Sequence, residues 1–350
     1  MKERDYSLDV LRVLACLLVI WQHASEFYYI ADGQYTVQAA STYTIGWINS
    51  LSRLCVPLFV VISGYFLLPT PDTTSTFFRK RFTRVLWPFL FWCVAYAVYY
   101  VLYADQSWAD CLRHIASIPV NWGVGVGHLW YVYMLIGLYL LVPILSPWLR
   151  QCSKRELQGY LALWVVASLV IYVHEIFPAV LGECGWNASP LLYYYTGFAG
   201  YLVLGHYLRR YGTPALLPSV VLLVAGYLIS VWGFNSRIAT CRMALPLELF
   251  WDFCSVNVAM MTLGIFGLVK HLNLTGRGWM GKVVTTTSVI SYGIYLAHIM
   301  VLNFYHGLFD PLWNEVWIKV PVIALATFFT TIVVVWLLSH LPKARIWLGA

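Results

Sequence analysis

The chain has 350 residues, of which 61% are hydrophobic and only 11% charged. A water-soluble domain carries roughly 25% charged residues, so this sequence cannot cover a water-facing surface, and lipid is the solvent its composition fits. Its formal charge of +7 does not mark a nucleic-acid binder, because the Lys and Arg residues cluster in short segments between apolar runs, as in a polytopic membrane protein.

A helical span needs about 20 apolar residues to cross a hydrocarbon core of about 30 Å. Taken in chain order, such runs fall at 8–30, 46–68, 85–104, 128–148, 157–177, 190–210, 215–234, 246–269, 283–307 and 320–340. No long polar linker divides them. Residues 1–350 therefore read as a single all-α transmembrane domain, a membrane helix bundle of about ten helices. The uncharged, Pro- and Gly-containing stretch 119–127 reads as a loop or re-entrant piece before the fourth span. The first run is not expected to be a cleaved signal. Asp9 and Arg12 interrupt it, and bulky Phe27, Tyr28 and Tyr29 stand where small residues would be needed.

Loop charge alternates along this series. One side takes Lys2, Arg4, Arg79, Lys80, Arg81, Arg84, Arg150, Lys154, Arg155, Arg209, Arg210, Lys270, Arg277, Lys282, Lys343 and Arg345, which is 16 of the 22 Lys and Arg. The other takes Arg113, Arg237, Arg242 and Lys319, while Arg12 and Arg53 fall within or at the edge of spans. The basic side is cytoplasmic by this rule, and both termini lie on it. The eight cysteines form no C-x-x-C and no metal-binding spacing, so no metal is expected. Cys184 and Cys241 sit in loops placed outside and could bridge in an oxidising compartment.

Ionisable residues inside spans are costly and serve as functional candidates. Arg12 and His23 share one face of the first span, separated by about 16 Å along the axis at 1.5 Å per residue. A neutral imidazole deep in the membrane can take a proton from an attacking hydroxyl. An arginine nearer the cytosol can hold an anionic donor. The plainer readings are a packed polar histidine and a snorkelling arginine. Arg81 and Arg84 stand one helical turn apart, and two guanidinium forks on one face suit phosphates, with a coenzyme A nucleotide as the ligand. The plainer reading is an interfacial anchor. His128-Leu129-Trp130-Tyr131 opens the fourth span and suits either sugar stacking or an aromatic belt. Glu248 and Asp252, four apart in the eighth span, would share a helical face and orient an acceptor or pair with Arg242. His298, in the ninth span at a depth like that of His23, would face a shared cavity or make a structural bond to tyrosine. No H-E-x-x-H, phosphate loop or G-x-S-x-G elbow is present.

Six segments in order carry a family resemblance. These are Leu8-Asp9-x-Leu11-Arg12 with His23, Val56-Pro57-Leu58-Phe59-Val60-Val61-Ile62-Ser63-Gly64-Tyr65, and Arg81-x-x-Arg84 with Pro88. The others are His128-Leu129-Trp130-Tyr131 with Tyr139, Leu140 and Pro143, then Tyr201-Leu202-x-Leu204-Gly205-x-Tyr207-Leu208, and Ser291 to His298. The sequence resembles the acyltransferase-three family of bacterial membrane-bound O-acyltransferases, departing mildly at Val60-Val61. The resemblance implies transfer of a small acyl group, usually acetyl, from acetyl-CoA or another short acyl-CoA to a hydroxyl of a cell-envelope glycan or lipid-linked saccharide at the bacterial inner membrane. His23 would be catalytic, with Arg12, Arg81 and Arg84 on the donor and His298 carried over less securely. His128, Trp130, Tyr131, Glu248 and Asp252 are the acceptor-side candidates. Many relatives carry an extra esterase-like domain. With Ala350 soon after the last run, this sequence resembles the stand-alone type, which acts for instance in enterobacterial common antigen synthesis. The same intramembrane polar residues would also suit a transporter that moves acyl groups or glycans without chemistry, and a structural or sensory subunit would need none of them singly.

Overall fold

The computed structural model describes residues 4–120, 127–170, 172–173, 177, 192 and 195–349. Its helices are α1 (Tyr6–Glu26), α2 (Ala40–Asn49), α3 (Cys55–Leu67), α4 (Thr74–Tyr103), α5 (Trp108–Ser117), α6 (Trp130–Gln151), α7 (Lys154–Ala167), α8 (Phe198–Tyr211), α9 (Leu216–Arg237), α10 (Ala244–Leu247), α11 (Val256–His271), α12 (Gly278–Val289), α13 (Ser291–Phe309), α14 (Val316–Leu338) and α15 (Ala344–Trp347). The only strands among the described residues are β1 (Ile30–Ala31) and β2 (Tyr35–Thr36), a small antiparallel hairpin outside the all-α expectation. Large apolar side chains such as Ile144, Leu217, Trp232 and Phe329 face outward, as expected where the surrounding solvent is hydrocarbon.

Among the described residues, six helices are long and apolar enough to cross a membrane, and two bent helix pairs raise the number to eight. The fifth and sixth expected spans contribute α7 and α8, each 14 residues, and much of the chain between them lies outside the described residues. Two expected spans are corrected. The run 246–269 is broken, with Ala244–Trp251 and Val256–His271 meeting at 42°, and the run 283–307 bends by 79° between α12 and α13. The basic cluster 79–84 lies within the helix α4, which extends ahead of the apolar run 85–104. That helix starts at Thr74, where the Thr73 side chain accepts from the Thr76 backbone N–H and satisfies an otherwise orphaned donor. Residues 121–126 of the expected re-entrant piece lie outside the described residues, as does Cys184 and with it the Cys184–Cys241 bridge.

In lipid, helices gain little from hiding apolar surface against one another, so close packing and polar ties decide the arrangement. At the crossing of α3 and α8, a Cβ on Gly64 would stand 1.9 Å from the Leu202 carbonyl oxygen, and one on Gly205 would stand 2.0 Å from the Val61 carbonyl oxygen. The two glycines let the backbones touch. Between α9 and α11, Gly226 lies against the Asn257 carbonyl and Gly264 against Ser219 and Leu223.

Helix α1 packs against α3, α12, α13 and α14 and is the axis of the bundle. Its first turn is fixed by Asp9, which accepts from Arg4 Nε (2.6 Å), Arg4 Nη2 (2.8 Å) and Ser288 Oγ of α12 (2.6 Å). Lys270 of α11 donates to Asp5 at 2.6 Å. A buried carboxylate is tolerated only with such partners. These ties set the axial position of α1, and so the depth at which its last turn delivers His23.

Candidate active site

Three histidines from three separate elements converge. His23 lies in the last turn of α1, His298 in α13, and His128 in the single 3-10 turn Gly127–Leu129 that precedes α6. Ring centroids are 5.3 Å apart for His23 and His298, 5.1 Å for His128 and His298, and 6.2 Å for His23 and His128. A narrow cavity opens beside them, lined by Gln22, His23, Cys55, Phe59, His128, Trp130, Tyr131, Phe253 and Tyr295 among others.

The hydrogen bonds fix which ring nitrogen carries the proton in His23 and in His298. His23 Nδ1 lies 2.7 Å from Glu26 Oε2. An ionised carboxylate only accepts, so Nδ1–H donates to it and the neutral ring keeps a lone pair on Nε2. Glu26 is one helical turn beyond His23 and also accepts from Gln22 Nε2 at 3.4 Å. His298 Nδ1 lies 2.6 Å from the Tyr295 carbonyl oxygen, so it too donates from Nδ1. Tyr295 in turn donates its hydroxyl to the His128 carbonyl, tying α13 to the turn that carries His128. The Nε2 atoms of His128 and His298 are buried, with no hydrogen-bond partner among the described residues. The pair His23–Glu26 is the partly open edge of the group, with side chains 16% and 30% exposed. No group of three or more His, Cys, Asp or Glu among the described residues is arranged to hold a metal ion.

Below this group a second cluster collects cationic residues. Arg12, Arg81 and Arg84 all act electrostatically on the Tyr139 hydroxyl, and Arg12 also feels Arg84. Arg12 lies 5.0 Å from the Phe66 ring centroid and Arg81 5.8 Å from that of Phe77. Arg81 Nε has no partner among the described residues. With about 16 Å of α1 between Arg12 and His23 at 1.5 Å per residue, the two clusters sit at opposite ends of one helix face.

The acceptor-side candidates divide. His128, Trp130 and Tyr131 line the cavity, and Trp130 stacks on Phe253 at 5.7 Å. Glu248 and Asp252 do not share a helical face. The chain leaves the 3-10 turn Glu248–Trp251 at Asp252, whose backbone is extended, and α11 starts afresh at Val256. Glu248 accepts from the Tyr29 hydroxyl and from Arg53 Nη2, the latter at 3.3 Å, which replaces the expected pairing with Arg242. Arg53 is buried, donates to the Tyr29 hydroxyl at 2.8 Å and stands 4.3 Å from the Trp251 ring centroid. It is therefore an internal strut and not an interfacial charge. Asp252 accepts from the Cys254 backbone N–H at 2.7 Å.

Sequence reasoning missed Glu26, although an acidic residue three positions after His23 at the end of an apolar run was a usable signal. It also missed Gln22, Cys55 and Phe253 as cavity residues, and no local pattern points to them.

The family model described as an acyltransferase domain matches residues 5–340. No curated protein and no solved structure matches the chain. With nearly the whole length covered, on a membrane helix bundle, the chain belongs to the acyltransferase-three family, whose activity is acyl transfer.

Proposed function

We propose that this chain is an O-acyltransferase of the bacterial inner membrane that moves a small acyl group, acetyl foremost, from acyl-CoA to a hydroxyl of a cell-envelope glycan or lipid-linked sugar. The observation that carries the reading is the Glu26–His23 pair at the edge of a cavity, with Nδ1–H tied to the carboxylate. That leaves Nε2 as the base. The acceptor hydroxyl gives its proton to His23 Nε2 as its oxygen attacks the thioester carbonyl. The new C–O bond forms, the C–S bond breaks, and the departing thiolate receives the proton. Glu26 holds the ring in the working tautomer and offsets the charge of the imidazolium while it lasts.

Arg81 and Arg84 take the donor's phosphates from the cytoplasmic side, with Arg12 one step further in. Guanidinium forks match phosphate oxygens. The pantetheine arm then spans the distance to the histidines, and Trp130 and Tyr131 offer flat faces to the acceptor sugar. His298 braces the base from behind.

The test is thiol release by the purified protein given acetyl-CoA, with and without a glycan-lipid extract from bacterial envelopes, for the wild type and His23→Ala. Release that requires both the extract and His23 is expected. Undiminished release by folded His23→Ala protein would overturn the assignment. Movement of an intact substrate across a vesicle wall without thiol release would favour transport.

A further inference from the structure

The carboxylate that orients His23 stands in an unfavourable place. Glu26 is the last residue of α1. Helix ends fray, and the partial negative charge at a C-terminus disfavours an added anion. His23 Nδ1 nevertheless lies 2.7 Å from Glu26 Oε2, a contact that depends on support from outside the helix. Two hydrogen-bonded paths supply it, and both start from one short segment of the chain. In the first, the Tyr29 backbone N–H donates to the Glu26 carbonyl at 3.4 Å, and the Tyr29 hydroxyl accepts from Arg53 Nη2 at 2.8 Å. In the second, Gln22 Nε2 donates to Glu26 Oε1 at 3.4 Å, and Gln22 Oε1 accepts from Cys55 Sγ at 3.5 Å. Arg53 lies in the 3-10 turn Ser50–Leu54, and Cys55 opens α3 directly after it.

Arg53 does more than fill space. Its side chain is 3% exposed, and a buried guanidinium is costly even when paired. An apolar side chain could pack against Trp251 without that cost. Arg53 Nη2 instead reaches both the Tyr29 hydroxyl and, at 3.3 Å, Glu248 Oε1. Glu248 also accepts from the Tyr29 hydroxyl, so the three groups close a triangle. The Tyr29 ring is held edge-on by Phe234 and Trp251, each at 5.6 Å. The charge of Arg53 also acts on the Glu26 carboxylate. Resting on the acyl-transfer reading above, we infer that Arg53 is a positioning residue for the reaction: it anchors the end of α1 through Tyr29 and supplies the cation that lets Glu26 face His23 Nδ1 from the negative end of the helix. It touches neither donor nor acceptor, and its effect on transfer passes through Glu26.

The test is a double-mutant cycle on thiol release by the full-length purified protein at saturating acetyl-CoA and glycan-lipid extract. Arg53→Met, close in volume and uncharged, is expected to lower kcat about tenfold, the scale of a lost charged hydrogen bond, with KM for acetyl-CoA unchanged. Arg53→Lys, which keeps the charge, should recover part of the loss. In a Glu26→Ala background, Arg53→Met should lower the residual kcat no further, because the group it positions is gone. Wild-type kcat in Arg53→Met would overturn the inference and leave acyl transfer in place. So would the same fold-loss in both backgrounds, the mark of a strut that acts on the fold alone. Should Arg53→Met fail to fold, Tyr29→Phe runs the same cycle, since it keeps the ring between Phe234 and Trp251 and removes only the hydroxyl that Arg53 holds. No release by the wild type would overturn the transfer reading itself, and the inference with it.

Discussion

Glu26 gives the sharpest mutational prediction, because its two contributions can be separated. In the wild type its carboxylate both holds the His23 Nδ1–H, at 2.7 Å, and places a negative charge beside a ring that becomes cationic during transfer. Glu26→Gln can keep the first through the amide oxygen and loses the second. Glu26→Ala loses both. A hydrogen bond to a charged group is worth about 1.5–3 kcal/mol, and each 1.36 kcal/mol is about a factor of ten in rate. If the bond reaches full strength only as the ring takes its charge, Glu26→Ala should lower kcat by roughly 10- to 150-fold. Glu26→Gln should fall between that variant and the wild type. The assay is thiol release at saturating acetyl-CoA and extract, with KM for acetyl-CoA measured alongside. The KM should hold, because Arg12, the donor arginine nearest the site, lies about 16 Å away along α1 and Arg81 and Arg84 stand on a different helix. Wild-type kcat in folded Glu26→Ala protein would refute the reasoning, and so would a loss confined to donor KM.

The two arginines of α4 should show the converse. Arg81→Ala and Arg84→Ala are expected to raise KM for acetyl-CoA about tenfold, on the scale of a lost charged hydrogen bond, and to matter little with acetyl-pantetheine, which lacks the nucleotide. Equal effects on both donors would remove the phosphate role. Gly64→Ala should destabilise the bundle by about 1–3 kcal/mol through overpacking, because its Cβ would stand 1.9 Å from the Leu202 carbonyl oxygen. Gly137→Ala, with nothing within 4 Å of its Cβ, should be neutral or mildly stabilising, and thermal unfolding in detergent separates the two. At the start of α7, Ser153 Oγ accepts from the Glu156 N–H and Glu156 accepts from the Ser153 N–H. The hydrogen bond from that backbone N–H holds the Glu156 carboxyl below its ordinary value of 4.5. A depressed carboxylate contributes stability above its unfolded value and loses it as the pH falls through the folded one. Glu156→Gln should therefore weaken amide protection in the first turn of α7 at neutral pH and make no difference once acid has protonated Glu156.

The sequence made individual polar residues conspicuous because charge is scarce in apolar runs. Arg12, His23, Arg81, Arg84, His128 and His298 all stood out on that ground. A shared cavity for His23 and His298 was among its expectations, but the path that brings them together was not. His298 reaches His23 because α13 departs from α12 at 79°, and the local sequence Val289-Ile290-Ser291 carries no proline or glycine to announce a bend. Placing it at the depth of His23 within one straight span therefore followed a path the chain does not take. Glu248 and Asp252 show the same failure in reverse, since a spacing of four implies a shared face only while the helix continues, and here it stops at Asp252. Arg53 is unremarkable in sequence and becomes an internal strut only through Tyr29, Glu248 and Trp251, which approach from distant parts of the chain. Periodicity finds elements, whereas such long-range pairings are settled by packing. The small hairpin of β1 and β2 was missed because two-residue strands are too short to leave an alternation.

The most direct measurement is transfer of a radiolabelled acetyl group from acetyl-CoA to lipid-extractable glycan by the reconstituted protein, comparing the wild type with His23→Ala whose affinity for coenzyme A has been shown intact. The account predicts label in the glycan fraction with the wild type and none above background with the variant. Label in the glycan at the wild-type rate with His23→Ala would contradict it.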